Sequence, residues 1–243
     1  MPPADETVLV VGSTSSLAQA LARALAERGY GLALAARDEQ ELAMQASDLR
    51  ARFSIAVSTQ RFDLLDAGFS AVALIENAGN FHHAIIATGD MGNNNSQDIK
   101  NLALTAQTNY VLPAQIASVA AAKLAQRCGG SIAIISSVAG DRGRQSNYAY
   151  GAAKAGLSAF ASGLRNYYFK RGVHVMTVKP GFIDTPMTWG MKSPLIASRE
   201  YVADAIVKAL IAKKDVVYVP RFWALIMLII THIPEKVFKK LSL

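Results

Sequence analysis

Hydrophobicity rises and falls along this chain with a regular rhythm. Short apolar runs recur at residues 8–11, 32–36, 55–59, 84–87, 131–135, 173–178 and 216–219. Between them lie longer stretches with apolar residues at helical spacing, at 17–28, 39–53, 69–76, 98–127, 149–171 and 198–213. Apolar runs without internal alternation suit strands covered on both faces, and such strands are parallel and joined by crossover helices. The expected fold is therefore α/β: a doubly wound, parallel, seven-stranded Rossmann sheet with helices on both faces. Gly29 ends the first helix, Ser198 caps the last, and Pro113 interrupts the long stretch at 98–127. Residues 93–95, all asparagine, read as the most flexible loop.

At 243 residues and 51% hydrophobic content, the chain suits one domain with a sizeable core. A lone cysteine, Cys128, excludes an internal disulfide framework and a cysteine-rich zinc site, and no metal site is expected. The polar start and the absence of a leader pattern point to the cytoplasm. The net charge of +7 fits nucleic acid, a membrane surface or an anionic ligand. No nucleic-acid motif accompanies it, and the basic residues cluster only near the C-terminus, so nucleic acid is set aside.

The first apolar run leads into Gly12-Ser13-Thr14-Ser15-Ser16-Leu17-Ala18, a strand, tight turn and helix start. Such a turn aims backbone amides and the positive end of the helix at a pyrophosphate, and the hydroxyls of Ser13, Thr14 and Ser15 are further donors. One glycine also fits an ordinary strand-to-helix turn. The second strand ends in Ala36-Arg37 where a carboxylate would bind ribose hydroxyls. A cation there favours a 2′-phosphate and hence NADP(H), with NAD(H) still open; a solvated surface arginine is the plainer alternative. Asp63, with Leu64 beside it, follows the third strand and is placed at the adenine.

The fifth strand ends in Ser136-Ser137, and thirteen residues after Ser137 comes Tyr150-Gly-Ala-Ala-Lys154. Tyr150 and Lys154, four apart, share a helix face. A phenol near pKa 10 is a poor acid-base group at neutral pH, and a neighbouring ammonium lowers it. Tyr150 can then protonate a carbonyl oxygen, Ser137 can stabilise the charge developing there, and Lys154 can also hold a ribose. A Tyr-x-x-x-Lys pair alone is usually helix surface. Here it stands with Ser137, with Asn109 in the preceding helix and with Pro180-Gly181 after the next strand.

With Gly12, Asn109, Ser137, Tyr150-x-x-x-Lys154 and Pro180-Gly181-Phe-Ile-Asp-Thr185 in place, the chain resembles the short-chain dehydrogenase/reductase family over residues 7 to about 220. The resemblance implies catalysis by Asn109, Ser137, Tyr150 and Lys154, with Asn109 holding a proton-relay water. It also implies that Ile183 and Thr185 contact nicotinamide. Residues 1–219 would be the dinucleotide-binding and catalytic domain, and a homo-oligomer is implied as well. Two features depart from the family pattern. Ser16 and Ala18 stand where glycines are usual. Asn77-Ala78-Gly79 matches the family's Asn-Ala-Gly by letter, but only 14 residues separate it from Asp63, too few for a helix and a strand. Ala87-Thr88-Gly89 is assigned instead, with Thr88 and Gly89 at the cofactor.

Residues 136–150, the run from Pro180 to Met187, and Asp215-Val-Val-Tyr-Val-Pro220 with its apolar tail resemble one branch of that family. It contains decaprenylphosphoryl-2-keto-pentose reductase. The resemblance implies a keto-sugar or other lipid-linked carbonyl substrate, with Arg142 and Arg144 meeting a phosphate or standing as solvated charges. The tail, 220–243, carries an apolar run at 222–230, too short to span a bilayer, then Val237, Phe238 and Leu241 set against Lys236, Lys239 and Lys240. It suits peripheral membrane contact through 221–243, on the inner face, or a subunit interface or core helix. Rival functions are a soluble reductase of acyl or xenobiotic carbonyls and a nucleotide sensor without turnover.

Overall fold

Seven parallel strands pair in the order β3-β2-β1-β4-β5-β6-β7 in the computed structural model, which describes residues 6–91, 99–127 and 129–241. They are β1 (Thr7–Val11), β2 (Gly31–Ala36), β3 (Val57–Arg61), β4 (His83–Ile86), β5 (Gly130–Ile135), β6 (Val173–Pro180) and β7 (Val216–Val219). The helices are α1 (Ser16–Ala26), α2 (Glu39–Phe53), α3 (Ala71–Asn77), α4 (Ile99–Ala106), α5 (Leu112–Gln126), α6 (Tyr148–Phe169), α7 (Arg199–Ile211), α8 (Phe222–His232) and α9 (Glu235–Phe238). The asparagines at 93–95 and Cys128 lie outside the described residues.

The sheet has a core on each face. Val8, Val10, Leu32 and Leu34 face α1, α2 and α7, while Leu9, Val11, Ile132 and Ile134 face α3, α5 and α6. Strands buried on both sides are why the sequence shows solid apolar runs rather than alternation. The order reverses between β1 and β4, and at such a point the strand C-termini open a crevice for ligands.

Two elements sit differently from the sequence expectation. The third strand is Val57–Arg61, two residues later than the apolar run at 55–59, because it is an edge strand with exposed polar positions. The long helical stretch is broken at Gln107–Val111, a single π-helical turn between α4 and α5. Pro113 explains the place: it has no N–H for the Asn109 carbonyl four residues back, and its ring would crowd that carbonyl. Pro113 itself sits in the first turn of α5, where a missing donor costs nothing.

The tail does not project from the domain. Trp223 and Met227 of α8 are buried against Val138, with Phe182, Leu195 and Tyr218 around them. Among the described residues no helix is long and apolar enough to cross a membrane.

Candidate active site

A groove of about 430 Å³ opens at the strand-order reversal, lined by Gly12, Thr14, Ser15, Arg37, Asp63, Leu64, Thr88, Gly89 and Asn109 among others. Gly12 has φ +82°, and a Cβ there would lie 2.9 Å from the Ala87 carbonyl oxygen. Only glycine lets the turn after β1 pass this close to the end of β4. The Gly12 and Ser13 amides both donate to the Ala35 carbonyl, at 2.8 and 3.0 Å. The Ser15 hydroxyl accepts from the Ala18 amide at 3.4 Å and caps α1. Ser13 is fully buried and is not among the residues lining the groove; Ser16 and Leu17 do not line it either, and Leu17 packs in the core.

Arg37 is exposed at the rim, beside Asp38 and Glu41. Those two carboxylates escaped the sequence reading. The Asp38 side chain accepts from the Glu41 amide at 2.9 Å and caps α2, while Glu41 accepts from the Gln19 amide nitrogen at 2.8 Å. The signal for Asp38 was its N-cap position. Asp63 accepts from the Leu65 amide at 3.0 Å, which holds its loop beside Phe62.

Beyond the groove the catalytic candidates converge. Ser137 begins a 3₁₀ turn, Val138–Gly140, and accepts from the Ala139 amide at 3.1 Å. That turn lies directly on α6. A Cβ at Gly140 would come within 2.7 Å of the Lys154 carbonyl carbon, and one at Gly151 within 2.8 Å of the Ala139 carbonyl oxygen. Two glycines therefore press Ser137 against the helix that carries Tyr150, close enough for its hydroxyl to act on the Tyr150 phenol. Behind them Ser136 donates to the Lys154 carbonyl at 3.0 Å and meets the Ser158 hydroxyl at 2.7 Å.

Lys154 is 2% exposed, its ammonium donating to the Ile135 carbonyl at 3.1 Å and standing 5.7 Å from the centre of the Tyr150 ring. Burial pulls Lys154 down to about 8. Burial also pushes Tyr150 up to about 12, against the downward pull of the neighbouring Ser137 hydroxyl. The sequence led us to expect the ammonium to lower the phenol. Here removal from water outweighs any such effect.

Asn109, in the π turn, is fully buried. Its side chain accepts from the Asp90 amide at 3.0 Å and donates to the Asp90 and Thr105 carbonyls at 2.7 and 3.0 Å. It thereby fixes the chain after Gly89. A Cβ on Gly89 would lie 2.9 Å from both the Asn109 side-chain oxygen and the Lys154 ammonium, so this position admits little more than glycine. Asn77-Ala78-Gly79 ends α3, with the Gly79 amide donating to the Glu76 carbonyl at 3.2 Å.

Pro180 ends β6 and the Gly181 amide donates to the Val219 carbonyl at 3.0 Å. A Cβ on Gly181 would run into the Trp223 indole. The Ile183 carbonyl accepts from the Thr188 hydroxyl at 2.6 Å and the Thr185 hydroxyl at 3.3 Å. These four residues follow one another from the end of β6 and do not line the groove.

The sequence profile described as short chain dehydrogenase matches residues 6–195. The chain belongs to the short-chain dehydrogenase family. This short-chain dehydrogenase is 39% identical over 224 residues to an uncharacterized oxidoreductase of Mycobacterium tuberculosis, covering 90% of this chain and 89% of that one. Its fold matches the bulky-bulky ketone specific alcohol dehydrogenase from Comamonas testosteroni with a TM-score of 0.80 at 23% identity, over 96% of each chain. It also matches a short-chain dehydrogenase from Sphingobium yanoikuyae in complex with NADPH, with a TM-score of 0.80 at 24% identity over 95% and 97% of the two chains. The protein is an oxidoreductase of a family that uses nicotinamide dinucleotides.

Two arginines sit otherwise than expected. Arg142 is neither a phosphate contact nor a solvated charge: it is engaged by the tail, donating to the carbonyls of Ile230, Thr231 and Ile233. Arg144 donates to the Met227 sulfur at 3.2 Å and is partly buried. The reason is the docking of α8, whose carbonyl-rich C-terminal end attracts a cation.

Proposed function

We propose that this enzyme reduces a carbonyl to an alcohol, with Tyr150 as the acid. The observation that carries the reading is the packing of the Ser137 turn on the helix of Tyr150, with the buried Lys154 ammonium 5.7 Å from the phenol ring. A bound nicotinamide dinucleotide supplies the hydride. Tyr150 passes its proton to the carbonyl oxygen, and Ser137 orients that oxygen by donating a hydrogen bond. The Lys154 ammonium stabilises the phenolate left behind, and Asn109 shapes the path by which Tyr150 regains its proton.

The groove fits the dinucleotide. The Thr88 hydroxyl is buried there with no hydrogen-bond partner among the described residues, and Gly12 and Gly89 leave room that a side chain would fill. Thr14, Ser15 and the start of α1 face the phosphates, Asp63 and Leu64 the adenine, and Arg37 the 2′-phosphate of NADP(H). Pro180, Gly181, Ile183 and Thr185 close the nicotinamide end.

The substrate carries a large apolar arm. Met187, Trp189 and Met191 stand exposed on the loop after Thr185, which suits such an arm. A keto-sugar linked to a polyprenyl phosphate is the member of this class that the motif resemblance names. Oxidation of NADPH and NADH should be followed against a panel of small ketones, bulky ketones and lipid-linked keto-sugars. Tyr150→Phe should keep cofactor affinity and lose between 10²- and 10⁴-fold in turnover. Unchanged turnover in that variant would remove Tyr150 from the chemistry, and activity confined to small ketones would remove the apolar arm.

A further inference from the structure

Arg142 stands between the catalytic turn and α6, yet its side chain serves the far end of the chain. One guanidinium nitrogen donates to the carbonyls of Ile230, Thr231 and Ile233 at 3.0, 3.1 and 2.6 Å. The other donates to the Glu235 carboxylate at 2.8 Å, and the guanidinium lies 3.9 Å from the centre of the Phe238 ring. The side chain is 14% exposed. A helix leaves its last carbonyls without intrahelical partners and concentrates negative potential there, so a cation at that end both satisfies and neutralises it.

The two helices held this way have little stability of their own. At 11 and four residues, α8 and α9 are too short to persist unsupported in water. What α8 covers is part of the site: Trp223 lies on Gly181, and Trp223 and Met227 pack against Val138, the neighbour of Ser137. The loop bearing Arg142 is anchored separately, since Asp141 accepts from Lys179 and from the Tyr218 hydroxyl at 2.8 Å. Loss of Arg142 would therefore free the helices while the base of the catalytic turn stays in place.

We propose that Arg142 is a positioning residue: it latches α8–α9 onto the Ser137 turn and so makes the C-terminal segment a wall of the substrate cleft. The consequence for substrate affinity rests on the reductase reading given above; the latch itself does not.

The chain holds two tryptophans, exposed Trp189 and buried Trp223, so Trp189→Phe leaves Trp223 as the sole indole reporter. In that background Arg142→Met should move the emission to longer wavelength and open it to acrylamide quenching. Arg142→Lys, which keeps the charge, should restore most of the parental signal. Glu235→Gln, which weakens one contact of the latch, should move it in the same direction by less. This smaller change serves if Arg142→Met does not fold. With Trp189 retained and a bulky ketone reduced by the native chain, Arg142→Met should raise KM about tenfold, with kcat and NADPH affinity within twofold of the native values. Unaltered emission and quenching in the variants would overturn the latch. Equal loss of kcat, NADPH affinity and substrate affinity would overturn the positioning role in favour of general structural damage. If the parent reduces nothing in the panel, the reductase reading fails while the emission measurement still decides the latch.

Discussion

Lys154 is a cation kept where water cannot reach it, and its stability cost has a definite pH signature. Burial lowers it from 10.5 to about 8, so between those values the unfolded chain binds more proton than the folded one. Stability therefore rises with pH across that window. Relative to Lys154→Met, the parent should gain stability as the pH goes from about 8 toward 10.5, read from denaturant midpoints at each pH; a flat difference would contradict the shift. Arg37 poses a simpler question. It is exposed and lines the groove together with Asp38 and Glu41, two carboxylates that would repel a phosphate, so it should carry much of the preference between cofactors. Arg37→Ala should weaken NADPH binding about tenfold and leave NADH nearly unchanged, a difference that fluorescence titration resolves. Equal loss for both would make Arg37 a bystander.

Among the elements, the 3₁₀ turn after Ser137 depends on an ion pair of low exposure. Burial pulls Lys179 down, but the hydrogen bond and charge of Asp141 outweigh it, and the net shift is upward. Asp141→Asn should cost about 3 kcal/mol by chemical denaturation, because Lys179 would keep its charge without its counter-ion. A raised lysine contributes fully below its unfolded value, so the loss should be complete at neutral pH and shrink only as the pH climbs through the folded value. At this scale the sequence spoke clearly where burial was two-sided. Val8–Val11 and Ile132–Ile135 read as strands because both faces are covered. It misled at β3, where Ser58 and Thr59 face water and the more apolar residues just ahead of them took their place. The grouping of Ser137, Tyr150 and Lys154 was legible as spacing, whereas Asn109 joined them only through the family resemblance. The π turn was not, since Pro113 announces an irregularity without saying of what kind.

Across the whole molecule the tail was legible only as a composition. Nothing local to residues 220–243 names Arg142 as its partner, because that contact spans roughly 90 positions and needs the sheet to bring its ends together. Phe222, Leu225, Leu228 and Ile229 remain 44–63% exposed on the outer side of α8, and Lys236, Lys239 and Lys240 further along the tail are exposed as well. If that face seats on anionic lipid, Leu225→Ser with Ile229→Ser should abolish flotation with phosphatidylserine vesicles and leave the melting temperature within a degree or two, as exposed substitutions do. Cutting the chain after Val219 is a poor substitute. It strips Trp223 from Gly181 and leaves Arg142 unpaired, and should lower the melting temperature by several degrees whether or not lipid is involved.

The covering of Gly181 by Trp223 bears on how the protein can be handled. Every strand runs the same way, so β1 begins at the edge of the sheet opposite the groove, whereas α9 ends against Arg142. A purification tag, fluorophore or immobilising linker joined ahead of Thr7 would leave from the end of the sheet opposite the groove. The same attachment beyond Leu241 would pull on the helices that wall the cleft, and kinetics measured through such a handle would report the handle as much as the enzyme.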